Sequence, residues 1–140
     1  MTPLRVIITD WQNHEATLCA IRYAVFVEEQ GVPVEIELDE WDASVVHALA
    51  YDGEQPVGTG RLLPDGRIGR MAVLKEARGQ GVGVALLNAL LGAAKNAGLV
   101  QVTLHAQTHA IGFYQKLGFE AYGDEFDDAG IPHRAMRREI

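Results

Sequence analysis

Residues 71–87 read MAVLKEARGQGVGVALL and predict a buried strand, a glycine-rich turn and a helix that begins where the glycines end. Such a turn leaves backbone N–H groups at the start of the helix without internal partners, beside the positive end of the helix dipole. Gly79, Gly81 and Gly83 can adopt a positive φ and carry no Cβ, so an anion can approach their main chain closely. Arg78 adds a positive charge at the rim. The stretch therefore predicts a binding site for a phosphate or pyrophosphate group.

Two familiar phosphate-binding templates do not fit this glycine spacing. A P-loop requires Gly, four residues and then Gly-Lys-Ser or Gly-Lys-Thr, and no such residues follow Gly83. A dinucleotide-binding turn requires Gly-x-Gly-x-x-Gly after the first strand of its unit, whereas these glycines alternate and lie in the middle of the chain. A plain strand-to-helix connection stays open as the alternative.

Composition favours a single globular domain spanning residues 1–140. The chain is 48% hydrophobic and 22% charged, the balance of an ordinary globular protein that is long enough to bury a sizeable core. A net charge of −7 argues against nucleic acid as the main partner. The arginines near the C-terminus are interpreted as a solvated strand face: Arg134, Arg137 and Arg138.

Nothing in the sequence points to a membrane or to an oxidising compartment. No apolar run approaches the ~20 residues that a membrane span needs, and residues 1–6 lack the pattern of a signal peptide. Cys19 is the only cysteine in the sequence, so no internal disulfide can form. These features predict a cytoplasmic protein.

Hydrophobic periodicity and turn residues predict the element order β-α-βββ-α-β-α-ββ. The predicted strands are residues 4–9, 44–51, 56–63, 67–74, 100–106, 119–126 and 133–138, and the predicted helices are residues 10–30, 84–96 and 109–116. The crossover within this order makes two strands parallel neighbours. The predicted fold class is mixed α/β, with a largely antiparallel sheet and helices on both faces. Residues 35–42, EIELDEWD, are too charged for a core element and are predicted to form a loop or short turn.

Two motifs resemble the GNAT superfamily of acyl-CoA-dependent N-acetyltransferases. Residues 78–83, RGQGVG, match its Arg/Gln-x-x-Gly-x-Gly/Ala motif and follow a strand that ends Met-Ala-Val. Residues 110–119, AIGFYQKLGF, resemble its Ala-x-x-Phe-Tyr-x-x-x-Gly-Phe segment. Residues 22–33 and 130–133 are similar to the ElaA-type branch. Two motifs in the right order and at the right separation are more specific than either alone.

The resemblance implies that the bound anion is the pyrophosphate of coenzyme A, with acetyl-CoA as the cosubstrate. It also implies that two central parallel strands splay apart, with pantetheine along one of them; amides at peptide-like spacing suit an unpaired strand edge. The cofactor-binding residues implied in this way are Met71, Ala72, Val73, Arg78, Gly79, Gln80, Gly81, Val82, Gly83, Val84 and Gln107. Alternation predicts the side chains of Met71 and Val73 on one face and that of Ala72 on the other.

Tyr114, within the second motif, is implied to be the general acid. Attack of an amine on a thioester expels a thiolate, and a phenol of similar pKa can donate a proton to it. The alternative is that Tyr114 only packs its ring against Phe113 and Phe119.

The general base is less well defined by the sequence. Many members of the family carry a glutamate four residues before the position of Val73, and Gly69 stands there in this chain. The candidate bases, acting directly or through water, are therefore Glu28, Glu29, His47 and His133. His14, His105 and His109 show no metal-ligand spacing, so no metal is predicted.

The predicted function is transfer of an acetyl group from acetyl-CoA to a primary amine by direct attack in a ternary complex. The acidic residues 35–42 would favour a cationic amine, although a solvated loop explains them as well. A non-catalytic acyl-CoA-binding or regulatory module is the alternative, supported by Gly69 and opposed by Tyr114. An acyl-homoserine-lactone synthase is a third interpretation, for which the chain is short. Monomer and homodimer both stay open.

Overall fold

The computed structural model describes the backbone of residues 4–37, 39 and 41–140, and all of their side chains except those of residues 35 and 36. The strands are β1 (Leu4–Thr9), β2 (Val46–Asp52), β3 (Gln55–Leu62), β4 (Arg67–Val73), β5 (Gln101–Gln107), β6 (Glu120–Asp128) and β7 (Ile131–Glu139). The helices are α1 (Trp11–Arg22), α2 (Val34–Glu37), α3 (Val82–Asn96) and α4 (Ile111–Lys116). A π-helical segment, Tyr23–Glu29, continues α1.

Within these residues the seven strands form one sheet in the order β1-β2-β3-β4-β5-β7-β6. All neighbours are antiparallel except β4 and β5. The predicted mixed sheet, its parallel pair and the bounds of its strands, to within two residues, are confirmed. In the part of the chain that the structure describes, no helix is long and apolar enough to cross a bilayer.

Helix α1 begins at a capped end and changes its hydrogen bonding near its C-terminus. Asp10 accepts a hydrogen bond from the N–H of Asn13 at 2.9 Å, which satisfies one of the free donors of the first turn. Beyond Arg22 the chain becomes π-helical as far as Glu29, where the sequence predicted one helix to Gln30. Segments with this wider hydrogen bonding often occur at functional sites. Here the segment carries Glu29 and Gln30 to the cleft described below.

Helices pack on both faces of the sheet, as predicted. Helix α3 lies against strands β1 to β4 with the apolar stripe expected from its spacing: Leu86, Leu87, Leu90, Leu91 and Ala94. On the other face, α1 and the π-helical segment bury a smaller set with the sheet: Leu18, Ile21, Val25, Leu49 and Ala72. Strands β2 and β4 therefore contribute to both apolar layers.

Strand β4 contains a bulge. Thr59 pairs with Ala72 and Arg61 pairs with Gly69, so three steps along β4 match two steps along β3. Arg70, within the bulge, adopts a φ of 50°, a left-handed conformation that costs free energy for any residue with a Cβ. Strain of this kind persists only where the surrounding structure holds it in place.

The two parallel strands β4 and β5 part immediately before this bulge. Their pairing is confined to Arg67 with Thr103 and Ile68 with Leu104. Strand β5 pairs along its whole length with β7 on its other side. The C-terminal halves of β4 and β5 therefore border a gap in which strand-edge groups are unpaired.

The prediction that residues 35–42 are too charged to belong to the core is wrong for Glu37 and Asp42. Part of the segment belongs to α2, and Asp42 begins a short 3₁₀ turn. Glu37 and Asp42 are only 4% and 3% exposed. A buried carboxylate needs a paired cation, and arginines from α1, β3 and β4 supply it, as described below. Residues 38 and 40 lie outside the described residues.

Helix α3 approaches β3 so closely that one glycine of the strand has no room for a side chain. A Cβ at Gly58 would lie 2.9 Å from methyl carbons of both Leu86 and Val82. Gly92, on the exposed side of α3, has no atom within 4 Å of such a Cβ. The two glycines therefore make a matched pair for testing this packing.

We expect Gly58→Ala to lower the free energy of unfolding by about 1–3 kcal/mol, since overpacking forces neighbouring side chains out of their preferred positions. Gly92→Ala should raise it by about 0.5–1 kcal/mol, because alanine restricts the unfolded chain and fits a helix. Urea unfolding followed by circular dichroism measures both changes. Equal effects of the two substitutions would contradict the packing of α3 on β3.

Candidate functional site

A cleft with a volume of about 940 Å³ opens at the gap between β4 and β5. Its floor includes Gly69, His105 and His133, which belong to β4, β5 and β7. Its walls come from the π-helical segment, from Asp39 and Trp41, from α4 and from the β6–β7 turn. A cleft of this size accommodates a small molecule or a cofactor.

The edge of β4 presents main-chain groups to this cleft. The N–H of Leu74 donates to the carbonyl of Val57, next to β3, at 2.8 Å. Because main-chain groups alternate along a strand, Ala72 also bonds toward β3, whereas Met71 and Val73 face the gap. As predicted, the side chains of Met71 and Val73 lie on one face of the sheet and that of Ala72 lies on the other. Two of the three strand residues predicted to bind the cofactor therefore offer main-chain hydrogen bonds.

The glycine-rich turn leads from β4 into α3. Gly79 and Gly81 have φ values of 79° and 81°, and Gly81 is the N-cap of α3, with no side chain capping the helix. The N–H groups of residues 82–84 therefore have no internal partner, whereas the N–H of Ala85 donates to the carbonyl of Gly81. Gly83 differs from the prediction: it has no positive φ, and a Cβ there would lie 3.2 Å from a ring carbon of Phe113. The other residues predicted here, flanking the same helix start, are Gln80 and Val84.

The predicted positive charge of Arg78 at the rim is paired with a carboxylate in the structure. Its guanidinium donates to both carboxylate oxygens of Glu29 at 2.6 Å each, and its Nε donates to the carbonyl of Val73 at 3.1 Å. These hydrogen bonds lower the pKa of Glu29, so its carboxylate is a weaker base than an ordinary glutamate. The pair lies on the exposed side of the cleft and occupies a main-chain acceptor of the β4 edge.

Gln107 makes a similar bridge from the β5 side. Its amide nitrogen donates to the side-chain oxygen of Gln30 at 2.9 Å. Its amide oxygen accepts from Nε2 of His109 at 2.6 Å. The end of the π-helical segment, Glu29 and Gln30, is therefore tied to both sides of the gap.

Tyr114 lines the cleft from α4 and also packs in the aromatic cluster of the alternative interpretation. Its ring centroid lies 5.0 Å from that of Phe113 and 5.9 Å from that of Phe119, both edge-to-face. Loss of hydration raises the pKa of Tyr114 to about 12. The hydroxyl therefore stays protonated at physiological pH and can donate a hydrogen bond.

His133 is the base candidate that the structure places in the cleft with an available lone pair. Its Nδ1 lies 2.7 Å from the carbonyl oxygen of Ile131, so Nδ1 carries the proton and Nε2 is the acceptor of the neutral ring. The ring stacks on Phe126 with centroids 5.9 Å apart. No donor to Nε2 is found among the described residues. This arrangement gives the tautomer that a general base requires.

Two other base candidates lie away from the cleft. His47 is 1% exposed, and its Nε2 donates to the carbonyl of Asp42 at 2.9 Å. Burial lowers the pKa of His47, so the ring is neutral and serves the interior of the fold. Glu28 is exposed and lines a separate groove beside Cys19. Neither residue lines the cleft that contains Tyr114.

A buried ion network in one wall of the cleft escaped prediction from the sequence. Arg22 is 1% exposed, donates to both carboxylate oxygens of Asp42 at 2.7 and 3.1 Å, and pairs with Glu37. Arg61 binds both oxygens of Asp39 at 2.7 and 2.8 Å. A signal for this network exists, because Arg22 falls on the stripe of the first helix that buries its apolar side chains.

The network balances its own charge. Arg70 reaches Asp39 at 3.3 Å, so three arginines face the three carboxylates of residues 37, 39 and 42. The described acids of this segment therefore do not present the unpaired negative charge from which a cationic acceptor was expected. Among the described residues, no three potential ligand side chains come together as a metal site needs, and the absence of a metal stays a prediction.

A family model described as an acetyltransferase (GNAT) domain matches residues 17–140. The chain belongs to the GNAT acetyltransferase family. YjcF of Bacillus subtilis, described as an uncharacterized N-acetyltransferase, is 45% identical to it over 123 residues, which cover 85% of this chain and 88% of YjcF.

Solved structures show the same GNAT fold over the whole chain. An acyl-CoA N-acyltransferase from Pseudomonas aeruginosa is 32% identical, with a TM-score of 0.87, and the match covers 97% of this GNAT chain and 99% of the other. Escherichia coli ElaA is 28% identical, with a TM-score of 0.86 and coverage of 98% and 100%. The resemblance to ElaA that was drawn from the two short segments is confirmed.

The acid-base behaviour of Asp39 tests the ion network. Hydrogen bonds from Arg61 hold the pKa of Asp39 below its ordinary value. The stability that this carboxylate contributes is therefore present above the unfolded-chain pKa of about 4 and is lost as the pH falls through the folded-state pKa. We expect Asp39→Asn to reduce the proton uptake on unfolding in this acid range by up to about one proton. Urea unfolding at a series of acid pH values measures this proton uptake as the slope of the free energy of unfolding against pH. The same slope in the wild-type protein and in Asp39→Asn would contradict the ion pair.

Proposed function

We propose that this GNAT-family protein transfers an acetyl group from acetyl-CoA to a primary amine by direct attack of the amine on the thioester in a ternary complex. One observation carries the proposal: a single cleft is bordered by the unpaired β4 edge and is lined by Tyr114 and His133. The glycine turn and the uncapped start of α3 follow directly from that edge. This combination suits a linear thioester with a pyrophosphate at one end and a reactive carbonyl at the other.

The donor would be held mainly by main chain. In this proposal the N–H groups of residues 79–84 bind the pyrophosphate, and Met71 and Val73 bond the amides of pantetheine. Arg78 would exchange Glu29 for a phosphate oxygen and so release the Val73 carbonyl. The exchange loses little, because an exposed ion pair contributes little to stability. The similar Pseudomonas aeruginosa protein, described as an acyl-CoA N-acyltransferase, supports this donor class.

Proton removal from the acceptor is assigned to His133. A primary amine is mostly protonated at neutral pH and attacks only as the free base. Nε2 of His133, kept as an acceptor by the Nδ1–H bond to Ile131, can take that proton directly or through water. At Gly69 a Cβ would meet no atom within 4 Å, so the floor has space for the acceptor or for such a water.

Stabilisation of the leaving group is assigned to Tyr114. Attack forms the C–N bond and breaks the C–S bond, which leaves the thiolate of coenzyme A. With a pKa of about 12 the phenol is a weaker acid than a thiol, so Tyr114 stabilises the sulfur chiefly as a hydrogen-bond donor. The nitrogen of the new amide loses its second proton, which protonates the thiolate through solvent, and the imidazolium of His133 releases the first proton to solvent, which completes the cycle.

A non-catalytic acyl-CoA-binding module of the same fold is the second candidate. The observation that favours it is Gly69, because the strand position that carries a glutamate in many relatives has no side chain here. Titration with acetyl-CoA, followed by thiol release with a panel of primary amines and polyamines, separates the two. Binding without thiol release across the panel would favour the module.

The two assigned side chains should respond differently to pH. We expect His133→Gln to lower kcat/KM for the amine about 100-fold at neutral pH, with the loss shrinking as the pH approaches the pKa of the amine, because a free amine needs no base. Tyr114→Phe should lower kcat by about 10-fold or more. That loss should be constant over the same pH range, since the phenol stays protonated. Thiol release measured between about pH 6 and 10 checks both. A pH-independent loss in His133→Gln would contradict its role as base.

The glycine turn can be tested with a matched pair of glycines. We expect Gly81→Asp to raise the Kd for coenzyme A by about 10-fold or more, because a carboxylate at the helix start repels phosphate. Gly98→Asp is the control, since Gly98 has a similar φ of 82°, equal space around its Cβ, and a position after the end of α3. Both variants share the backbone strain, so calorimetric titration isolates the effect on the ligand. Equal Kd values for the two variants would contradict binding of the pyrophosphate at the glycine turn.

A further inference from the structure

The arginines that line the cleft divide into paired and unpaired ones. Three of the four form ion pairs with carboxylates: Arg61, Arg70 and Arg78. The fourth, Arg67, has no carboxylate oxygen within 4.0 Å among the residues that the structure describes. A cation without a counter-ion in a concave site is available to an anionic ligand.

Arg67 contacts a histidine in place of an acid. Its Nη2 donates to Nδ1 of His105 at 2.7 Å. Arginine has only donors, so Nδ1 is the acceptor and the proton of the neutral ring lies on Nε2. Burial and the charge of Arg67 lower the pKa of His105, which keeps the ring neutral. Arg67 therefore retains its full charge, and its Nε, its Nη1 and the second N–H of its Nη2 form no hydrogen bond with a described group.

This arginine lies on the floor of the cleft, on the face opposite α3. Arg67 pairs in register with Thr103 and so shares a face with His105 and Gly69, while Ile68 between the two β4 residues is buried against α3. The proposed base, His133, lies on the same face. It pairs in register with Gln107, which lies two residues after His105 on β5 and therefore shares its face. The unpaired charge and the base therefore belong to one surface.

We propose that Arg67, supported by His105, binds a carboxylate on the acceptor, and that the acceptor is an amine that carries such a group, as an amino acid does. The inference rests on the proposed amine acetyltransferase function. Nη2 keeps a second N–H, so the guanidinium retains one open edge, formed by Nη2 with either Nε or Nη1, and such an edge presents two parallel N–H donors, the geometry that a carboxylate matches. This acceptor carries an anionic group, unlike the purely cationic amine expected from the acidic residues 35–42.

One acidic side chain, Asp128, lines the same end of the cleft. It is the exposed last residue of β6, acts on His105 through its charge, and forms no ion pair with Arg67. It therefore does not cancel the charge of Arg67 by contact. A zwitterionic acceptor satisfies both groups, with its carboxylate on Arg67 and its ammonium group attracted by Asp128 until the proton is removed.

The test compares amines that differ only in the charged group. Thiol release at saturating acetyl-CoA is measured with L-phenylalanine and L-phenylalaninamide, and with β-alanine and β-alaninamide. The carboxamides are the less basic amines, so a preference for the carboxylates cannot come from a larger fraction of free amine. Each pair is run with the wild-type protein, with Arg67→Gln and with Arg5→Gln, which removes an exposed charge from β1, outside the cleft.

We expect kcat/KM in the wild-type protein to be about 10-fold or more higher for a carboxylate than for its carboxamide. Arg67→Gln should lower the carboxylate value about 10- to 100-fold, to that of the carboxamide, and leave the carboxamide value within about twofold. Arg5→Gln should change neither value. A wild-type preference for the carboxamides, or an equal loss of both members of a pair in Arg67→Gln, overturns the proposal.

A binding measurement decides the inference even if the proposed function fails. Absence of acetyl-CoA binding, or of thiol release with every amine, would contradict the proposed function but would leave the carboxylate site at Arg67 to be tested by binding. The side-chain ¹⁵N signals of His105, assigned with His105→Gln, should shift when N-acetyl-L-phenylalanine is added to the wild-type protein and stay unchanged in Arg67→Gln. N-acetyl-L-phenylalaninamide should leave them unchanged in both. No shift with the carboxylate at millimolar concentration would overturn the inference.

Discussion

The bulge at Arg70 is the constraint on which the rest of the site depends. A non-glycine residue at a φ of 50° costs about 1 kcal/mol or more, and the pairing of β4 with β3 on both sides of the bulge holds it there. The extra residue shifts the alternation of β4 by one position. Side chains after the bulge therefore lie on the face opposite to the one they would occupy in a regular strand. The bulge also marks the point at which β4 parts from β5, so the main chain of Met71 and Val73 is left facing a gap.

The buried charges hold the wall opposite that gap. Arg70 extends from the bulge to Asp39 and to the main-chain carbonyl of Glu37, so the strained strand and the acidic segment support one another. Arg22 completes the arrangement from α1. Replacing a whole buried ion pair by well-packed apolar residues often leaves a protein equally stable or more stable. Removing only one partner leaves a buried charge unpaired and costs about 3–5 kcal/mol. The network therefore joins α1, β3, β4 and the acidic segment at one wall of the cleft.

The strands, α3 and the glycine turn could be predicted because their signals are local. Alternation, an apolar stripe and glycines before a helix need no knowledge of distant residues. The burial of Glu37 and the pairing of Arg78 with Glu29, 49 residues away, could not be predicted in this way. A run of acids looks the same in solvent and in a buried network until the fold brings the arginines to it. The sequence also does not show why Gly83 is a glycine, because a missing side chain can make room for a ring, here that of Phe113, as readily as it permits a positive φ.

A crystal structure of the protein with coenzyme A tests the central claim most directly. We expect pantetheine between β4 and β5, with its amides bonded to the main chain of Met71 and Val73. The pyrophosphate should lie on the N–H groups that follow Gly79, and the sulfur should lie within hydrogen-bonding distance of the Tyr114 hydroxyl. Coenzyme A bound outside this gap, or bound within it with its sulfur remote from Tyr114, would contradict this assignment.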